Sequence, residues 1–130
     1  MSEKKEKVRD YRDMTVWQKS MVLAKQVYLA TVDFPEHEVY GLTSQIRRSA
    51  ISVPSNIAEG QGREGTKDFA RFLRIARGSL AELQTQIYLS DSLSFPQNNQ
   101  FNEPLELSEE FARMLSGLQN TLDTQLSALG

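Results

Sequence analysis

Apolar side chains recur every three or four residues in four separate stretches of this chain, and no stretch alternates in the manner of a half-buried strand. That periodicity commits the chain to packed amphipathic helices. The first stretch begins near Thr15, where Thr15 and Gln18 have the spacing of a capping box. It continues through Trp17, Met21, Ala24 and Tyr28, with Leu23, Val27 and Ala30 beside them, and Phe34-Pro35 ends it. The second, about Tyr40 to Glu59, carries Leu42, Ile46, Ala50, Val53 and Ile57. Pro54 interrupts its hydrogen bonding but not its apolar register, so one kinked helix is expected, stopped by Gly60 and Gly62. The third spans about Thr66 to Ser92, with Phe69, Phe72, Leu73, Ala76, Leu80, Leu83 and Ile87 as its buried stripe. Gly78 in its middle suggests close approach of another backbone. Phe95 to Leu107, with two prolines and three asparagines, reads as a loop, and Ser108 as the cap of a fourth helix. That helix carries Phe111, Leu115, Leu118, Leu122, Leu126 and Leu129. The expected fold is all-α: an antiparallel up-down-up-down four-helix bundle over residues 13–130, preceded by a charged, mobile segment over 1–12.

At 130 residues there is chain for one such domain. Cysteine is absent and His37 is the single histidine, which removes thiolate zinc sites, cysteine nucleophiles and most histidine-based constellations. Bundle di-iron sites need Glu-x-x-His on two helices, and His37 reads as a turn residue outside that pattern. The expectation is therefore a protein that is not an enzyme, with no metal, cofactor or small-molecule substrate. No apolar run approaches the ~20 residues that span a bilayer, and the N-terminus shows no signal-peptide core.

The net charge of −2 conceals a segregation. Residues 1–46 balance seven bases against seven acids, residues 47–77 carry seven bases against three acids, and residues 78–130 carry one base against seven acids. The central bases are Arg47, Arg48, Arg63, Lys67, Arg71, Arg74 and Arg77. Lys67, Arg71 and Arg74 share one helical face. Such a cluster can bind the phosphates of RNA or DNA, or it can pair with Glu59, Glu64, Asp68, Glu82 and the acidic fourth helix. Both readings stand at this level.

Asn56, Glu59, Ser79 and Glu82 interrupt the apolar patterns of the second and third helices. They read as a structural polar cluster in which Asn56 or Ser79 satisfies carbonyls freed by Pro54 and a carboxylate holds Arg47 or Arg48. Gly60-Gln61-Gly62-Arg63-Glu64-Gly65 reads as a turn between helices, because it lacks both the preceding strand and the Gly-Lys-Ser/Thr ending of a P-loop. Trp17, Tyr28, Phe72, Ile75 and Tyr88 exceed what one bundle core can take. Surplus apolar surface of this kind marks association, so a homo-oligomer is expected, with Trp17, Tyr28, Phe72 and Ile75 between subunits.

Several strings together carry a family resemblance: Met14-Thr15-Val16-Trp17-Gln18, Phe34-Pro35, Tyr40-Gly41-Leu42-Thr43-Ser44-Gln45-Ile46-Arg47-Arg48-Ser49-Ala50, Ser52-Val53-Pro54-Ser55-Asn56-Ile57-Ala58-Glu59-Gly60, Phe72-Leu73, Ala76-Arg77-Gly78-Ser79-Leu80-Ala81-Glu82-Leu83 and Arg113-Met114-Leu115. The chain resembles the four-helix bundle proteins encoded by intervening sequences of bacterial 23S rRNA genes, also labelled the S23 ribosomal protein family. The resemblance runs from about Tyr11 through nearly the whole chain. It implies a homopentamer in the bacterial cytoplasm with no established enzymatic activity. The stretch Phe95 to Glu106 departs from the family in being longer and richer in asparagine.

Overall fold

A computed structural model describes residues 10–95 and 99–129. Four helices make up the fold: α1 Thr15–Ala30, α2 Leu42–Gly62, α3 Thr66–Ser92 and α4 Asn102–Leu129. Among the described residues there is no strand. Each helix packs on its sequence neighbours and α1 closes on α4, while among the described residues the diagonal pairs α1–α3 and α2–α4 keep their backbones apart. That ring of contacts is the up-down-up-down bundle. Its core is built from the periodic positions: Leu23 and Val27 of α1, Ile46, Val53 and Ile57 of α2, Leu73, Leu83 and Ile87 of α3, and Phe111 and Leu115 of α4 are all essentially inaccessible.

The helix ends differ from expectation in instructive ways. Thr15 does not cap α1; Met14 occupies that position and makes no side-chain cap bond. Gln18 instead reaches back, its side-chain amide donating to the Arg12 carbonyl at 2.8 Å. A capping box does form, one turn earlier: Asp10 Oδ1 accepts from the Arg12 N–H at 2.7 Å and Asp13 Oδ2 from the Asp10 N–H at 3.3 Å. It closes a 3-10 turn over Tyr11–Asp13, and the Tyr11 ring packs edge-on against Trp17 with centroids 5.2 Å apart. Of the charged segment expected over 1–12, residues 1–9 lie outside the described residues. At the start of α2 the work of a cap falls to Glu38, whose Oε1 accepts from the Leu42 N–H at 3.0 Å and places a negative charge at the positive helix end.

α2 passes through Pro54 as one helix, and the proline itself is buried. The expected glycine stop falls at Gly62, the last residue of α2, whereas Gly60 lies inside the helix, and the chain reverses at Glu64, which takes φ 60°. Gly60 is needed for a different reason: a Cβ there would sit 2.7 Å from Phe72 Cβ, so only glycine allows α2 and α3 this close. Gly78 shows the opposite error. A Cβ there meets nothing within 4 Å, because Gly78 faces outward on α3 and no backbone of the same chain approaches it.

α3 has the expected limits. α4 begins at Asn102, inside the expected loop, since Pro104 falls in its first turn where no intrahelical N–H is required. Pro96, Gln97 and Asn98 of that loop lie outside the described residues. Ser108 is not a cap but a buried mid-helix residue, its hydroxyl donating to the Leu105 carbonyl at 2.7 Å and accepting from Gln84 Nε2 at 3.1 Å. Phe34, Phe95 and Phe101 close the end of the bundle, the Phe34 centroid lying 5.7 and 5.9 Å from the other two.

Candidate functional site

The seven central bases do not form one patch. The Ser52–Ser79 hydroxyl contact of 2.7 Å fixes the antiparallel register of α2 and α3. By that register Arg48 lies level with residue 83, twelve residues or about 18 Å along the axis from Arg71 at 1.5 Å per residue. Arg47 and Arg48 therefore sit towards one end of the bundle and Arg63, Lys67 and Arg71 at the other.

Each group has its own environment. Arg47 closes the C-terminus of α1: its Nε donates to Thr31 Oγ1 at 2.8 Å, an Nη to the Tyr28 carbonyl at 3.4 Å, and the guanidinium lies 4.7 Å from the Tyr28 ring centroid. Arg48 is exposed and donates to the Gln45 side-chain oxygen at 2.6 Å. At the other end Arg63 pairs with Glu59 at 2.8 Å, and that bond holds the guanidinium further into its charged range. Arg71 stands 3.9 Å from Asp68. Arg63 and Arg71 both stack on Phe72, 5.0 and 4.4 Å from its centroid. Arg74 binds Asp123 of α4 at 2.7 Å, and Arg77 donates to Ser116 Oγ at 3.3 Å. Lys67 has no ion-pair partner among the described residues. Among the described residues three of the seven are thus matched to carboxylates, the pairing reading of the sequence, and four are not.

The polar cluster is smaller than expected and differently wired. Asn56 Nδ2 donates to the Ser52 carbonyl at 2.8 Å and to Ser52 Oγ at 3.0 Å, and Ser52 joins Ser79 across the helix seam. The bonded carbonyl belongs to Ser52, not to Ala50, whose helical partner Pro54 removes. Glu59 is exposed and engaged with Arg63, and Glu82 is exposed on the outer face of α3, so neither belongs to the cluster or holds Arg47 or Arg48. Ser52, the residue that makes the bridge, was not evident in the sequence because a serine in a helix has no spacing signature.

Of the four residues expected between subunits, Phe72 is 7% exposed, covered by Gly60 and the two arginines. Trp17 is half-buried against the core and Tyr11. Tyr28 at 38% and Ile75 at 43% remain open, on different faces. Part of the exposed apolar surface lies along the α1–α2 seam, where Met21, Tyr28, Val39 and Ile51 line one groove. There Trp17, Met21 and Ala24 face Ile51, Pro54 and Ala58 across a groove. The groove continues past Ile51 to Tyr28, Val39, Arg47 and Arg48. Met21 and Ile51 are 45% and 44% exposed. No carboxylate lines either part. Ile51 did have a sequence signal: it falls off the Leu42–Ile46–Ala50–Val53–Ile57 stripe and so had to face away from the core.

A family model described as 23S rRNA-intervening sequence protein matches residues 12–117. The chain belongs to that family. The match takes in α1, α2, α3 and the first part of α4, hence the groove, the Ser52–Ser79 bridge and all seven central bases. No curated protein matches the chain. In this 23S rRNA-intervening sequence protein no helix among the described residues is long and apolar enough to cross a membrane. Among the same residues no three His, Cys, Asp or Glu side chains converge as metal ligands would.

Proposed function

We propose that this 23S rRNA-intervening sequence protein is a non-enzymatic interaction scaffold of the bacterial cytoplasm that acts as a homo-oligomer, with five subunits as the family resemblance implies. The observation that carries the reading is the α1–α2 groove, which leaves Met21 and Ile51 nearly half exposed beside Trp17 and Pro54. Apolar side chains so placed gain about 25 cal/mol for each Å² removed from water, and a second protein surface is what removes it. Light scattering at micromolar concentration tests the reading. Five copies of 14.8 kDa give about 74 kDa, and a particle of one copy overturns it.

Nucleic-acid binding is a second reading, and the state of Lys67 and Arg71 favours it. Among the described residues Lys67 has no ion-pair partner and Arg71 is only loosely paired, so positive charge is left over on one end of the bundle. An oligomer would repeat that charge around a ring and release several phosphate counterions at once. The check is the salt dependence of binding to labelled RNA and DNA. Affinity that falls with salt and is lost in Lys67→Glu/Arg71→Glu supports it; no shift at low ionic strength removes it.

A further inference from the structure

The outer face of α3 offers an open apolar strip with a carboxylate on it, and the α1–α2 groove offers apolar walls with an arginine at one side. Arg71, Ile75, Gly78, Glu82, Thr85 and Leu89 follow one another at steps of four and three, and all are exposed. Ile75 and Leu89 give that face an apolar character, 43% and 49% open to solvent. Gly78 lies between them with nothing within 4 Å of where a Cβ would be. A glycine in a helix interior weakens the helix, and within one protomer nothing offsets that loss. The same open strip is what a neighbouring helix needs for close approach. Glu82, four residues on, has no ion-pair partner among the described residues. On the other surface Arg48 has no carboxylate partner among the described residues either, and the groove beside it has none in its lining.

We infer that the α3 face of one protomer docks in the α1–α2 groove of a second copy, with Glu82 against Arg48 and Gly78 against Ile51. The inference rests on the self-association reading above and specifies its geometry. The two surfaces match in length: Ser44 to Ala58 along the groove and Arg71 to Thr85 on α3 each span fourteen helical steps, about 21 Å. They also match in register. If α3 runs antiparallel to the α2 that receives it, Glu82–Arg48, Gly78–Ile51 and Ile75–Pro54 come level together, since each step of three or four on one helix answers a like step on the other. The donor face and the receiving groove are different parts of the protomer, so the contact is heterologous. Contacts of that kind close into rings when the rotation allows, and an odd subunit number needs one.

The test uses the full chain in four forms: wild type, Arg48→Glu, Gly78→Leu and the charge-swapped Arg48→Glu/Glu82→Arg. Mass is read by light scattering and native mass spectrometry, and helicity by circular dichroism. Arg48→Glu spoils only the groove and Gly78→Leu only the α3 face, so each alone should fall to 14.8 kDa with helicity retained. Mixed together, they keep one good groove and one good α3 face between them, and should form a capped dimer of about 30 kDa, twice 14.8 kDa. The charge-swapped form should recover the wild-type mass. An oligomeric wild type whose mass neither substitution changes overturns this interface and leaves self-association standing. So does a mixture that stays at one copy while both variants remain helical. A wild type of one copy overturns self-association itself.

Discussion

The two seams that α2 makes, with α3 and with α1, differ in kind. Against α3 it is closed: Gly60 brings the helices close enough that Phe72 fills the space, and Ser52, Ser79 and Asn56 tie the flanks. Against α1 it is partly open, with Ile51 and Met21 on its rim and Pro54 in its wall. One helix thus presents small residues at Gly60 to the partner it must hold and large ones at Ile51 to solvent. In a domain whose net stability is the small remainder of large opposed contributions, the closed seam carries the fold. The open seam is where apolar surface has been left for another use.

The largest effect that separates the seams comes from the same substitution made twice on α2. Ile57 is fully buried, so Ile57→Ala should cost about 2–5 kcal/mol through lost burial and the cavity left behind. Ile51→Ala, on the open seam, should change the stability of the fold by no more than about 0.5 kcal/mol, yet weaken assembly. Urea unfolding at one fixed protein concentration reads the first quantity, because association itself raises apparent stability by mass action. Equal losses at the two isoleucines would show that the seams do not differ.

A pair of glycines sharpens the contrast at smaller magnitude. Gly60→Ala gains about 1 kcal/mol of helix propensity but drives a Cβ against Phe72 Cβ, an atom fixed to its own backbone. Overpacking of that kind costs about 1–3 kcal/mol, so the net change should be a loss of up to about 2 kcal/mol. Gly78→Ala meets open space and should stabilise the protomer by about 0.5–1 kcal/mol. Thermal unfolding at dilutions that suppress association measures both. Opposite signs are the expected result, and a gain at Gly60 would mean that α2 and α3 can part at no cost.

The helices, their order and most of the core were legible because apolar spacing reports which face of a helix is buried, and four such faces have few ways to meet. What failed was decided by neighbours distant in sequence. Gly60 and Gly78 look alike in the sequence, and only the register of α2 on α3 makes one a contact and the other a gap. Phe72 looked like surplus until Gly60 was seen to cover it. The start of α4 was hidden because its first buried positions are Pro104 and Ser108, residue types that ordinarily mark loops. The basic residues were easy to find, but their partners were not: Arg74 meets Asp123 across 49 positions, and Arg47 is spent on the end of α1.

The smallest expected effect concerns how α1 is held from its other side. Lys19 Nζ lies 2.8 Å from Glu110 Oε1, and Gln26 Nε2 donates to Glu103 at 3.2 Å, so exposed polar ties join α1 to α4. The hydrogen bond from Lys19, with its charge, holds the Glu110 carboxyl below the usual glutamate range. A carboxyl whose folded pKa is depressed adds stability above its unfolded pKa and loses it as pH falls through the folded value. The contribution should therefore be complete near about pH 7 and fade towards about pH 3, below the ordinary carboxylate range. In Glu110→Gln that part of the acid sensitivity should be gone. The melting temperatures of wild type and variant should differ slightly at neutral pH in low salt, and converge in acid or in about 1 M salt, where exposed pairs are screened. A gap that survives both acid and salt would mean that Glu110 acts on the α1–α4 seam through packing and not through its charge.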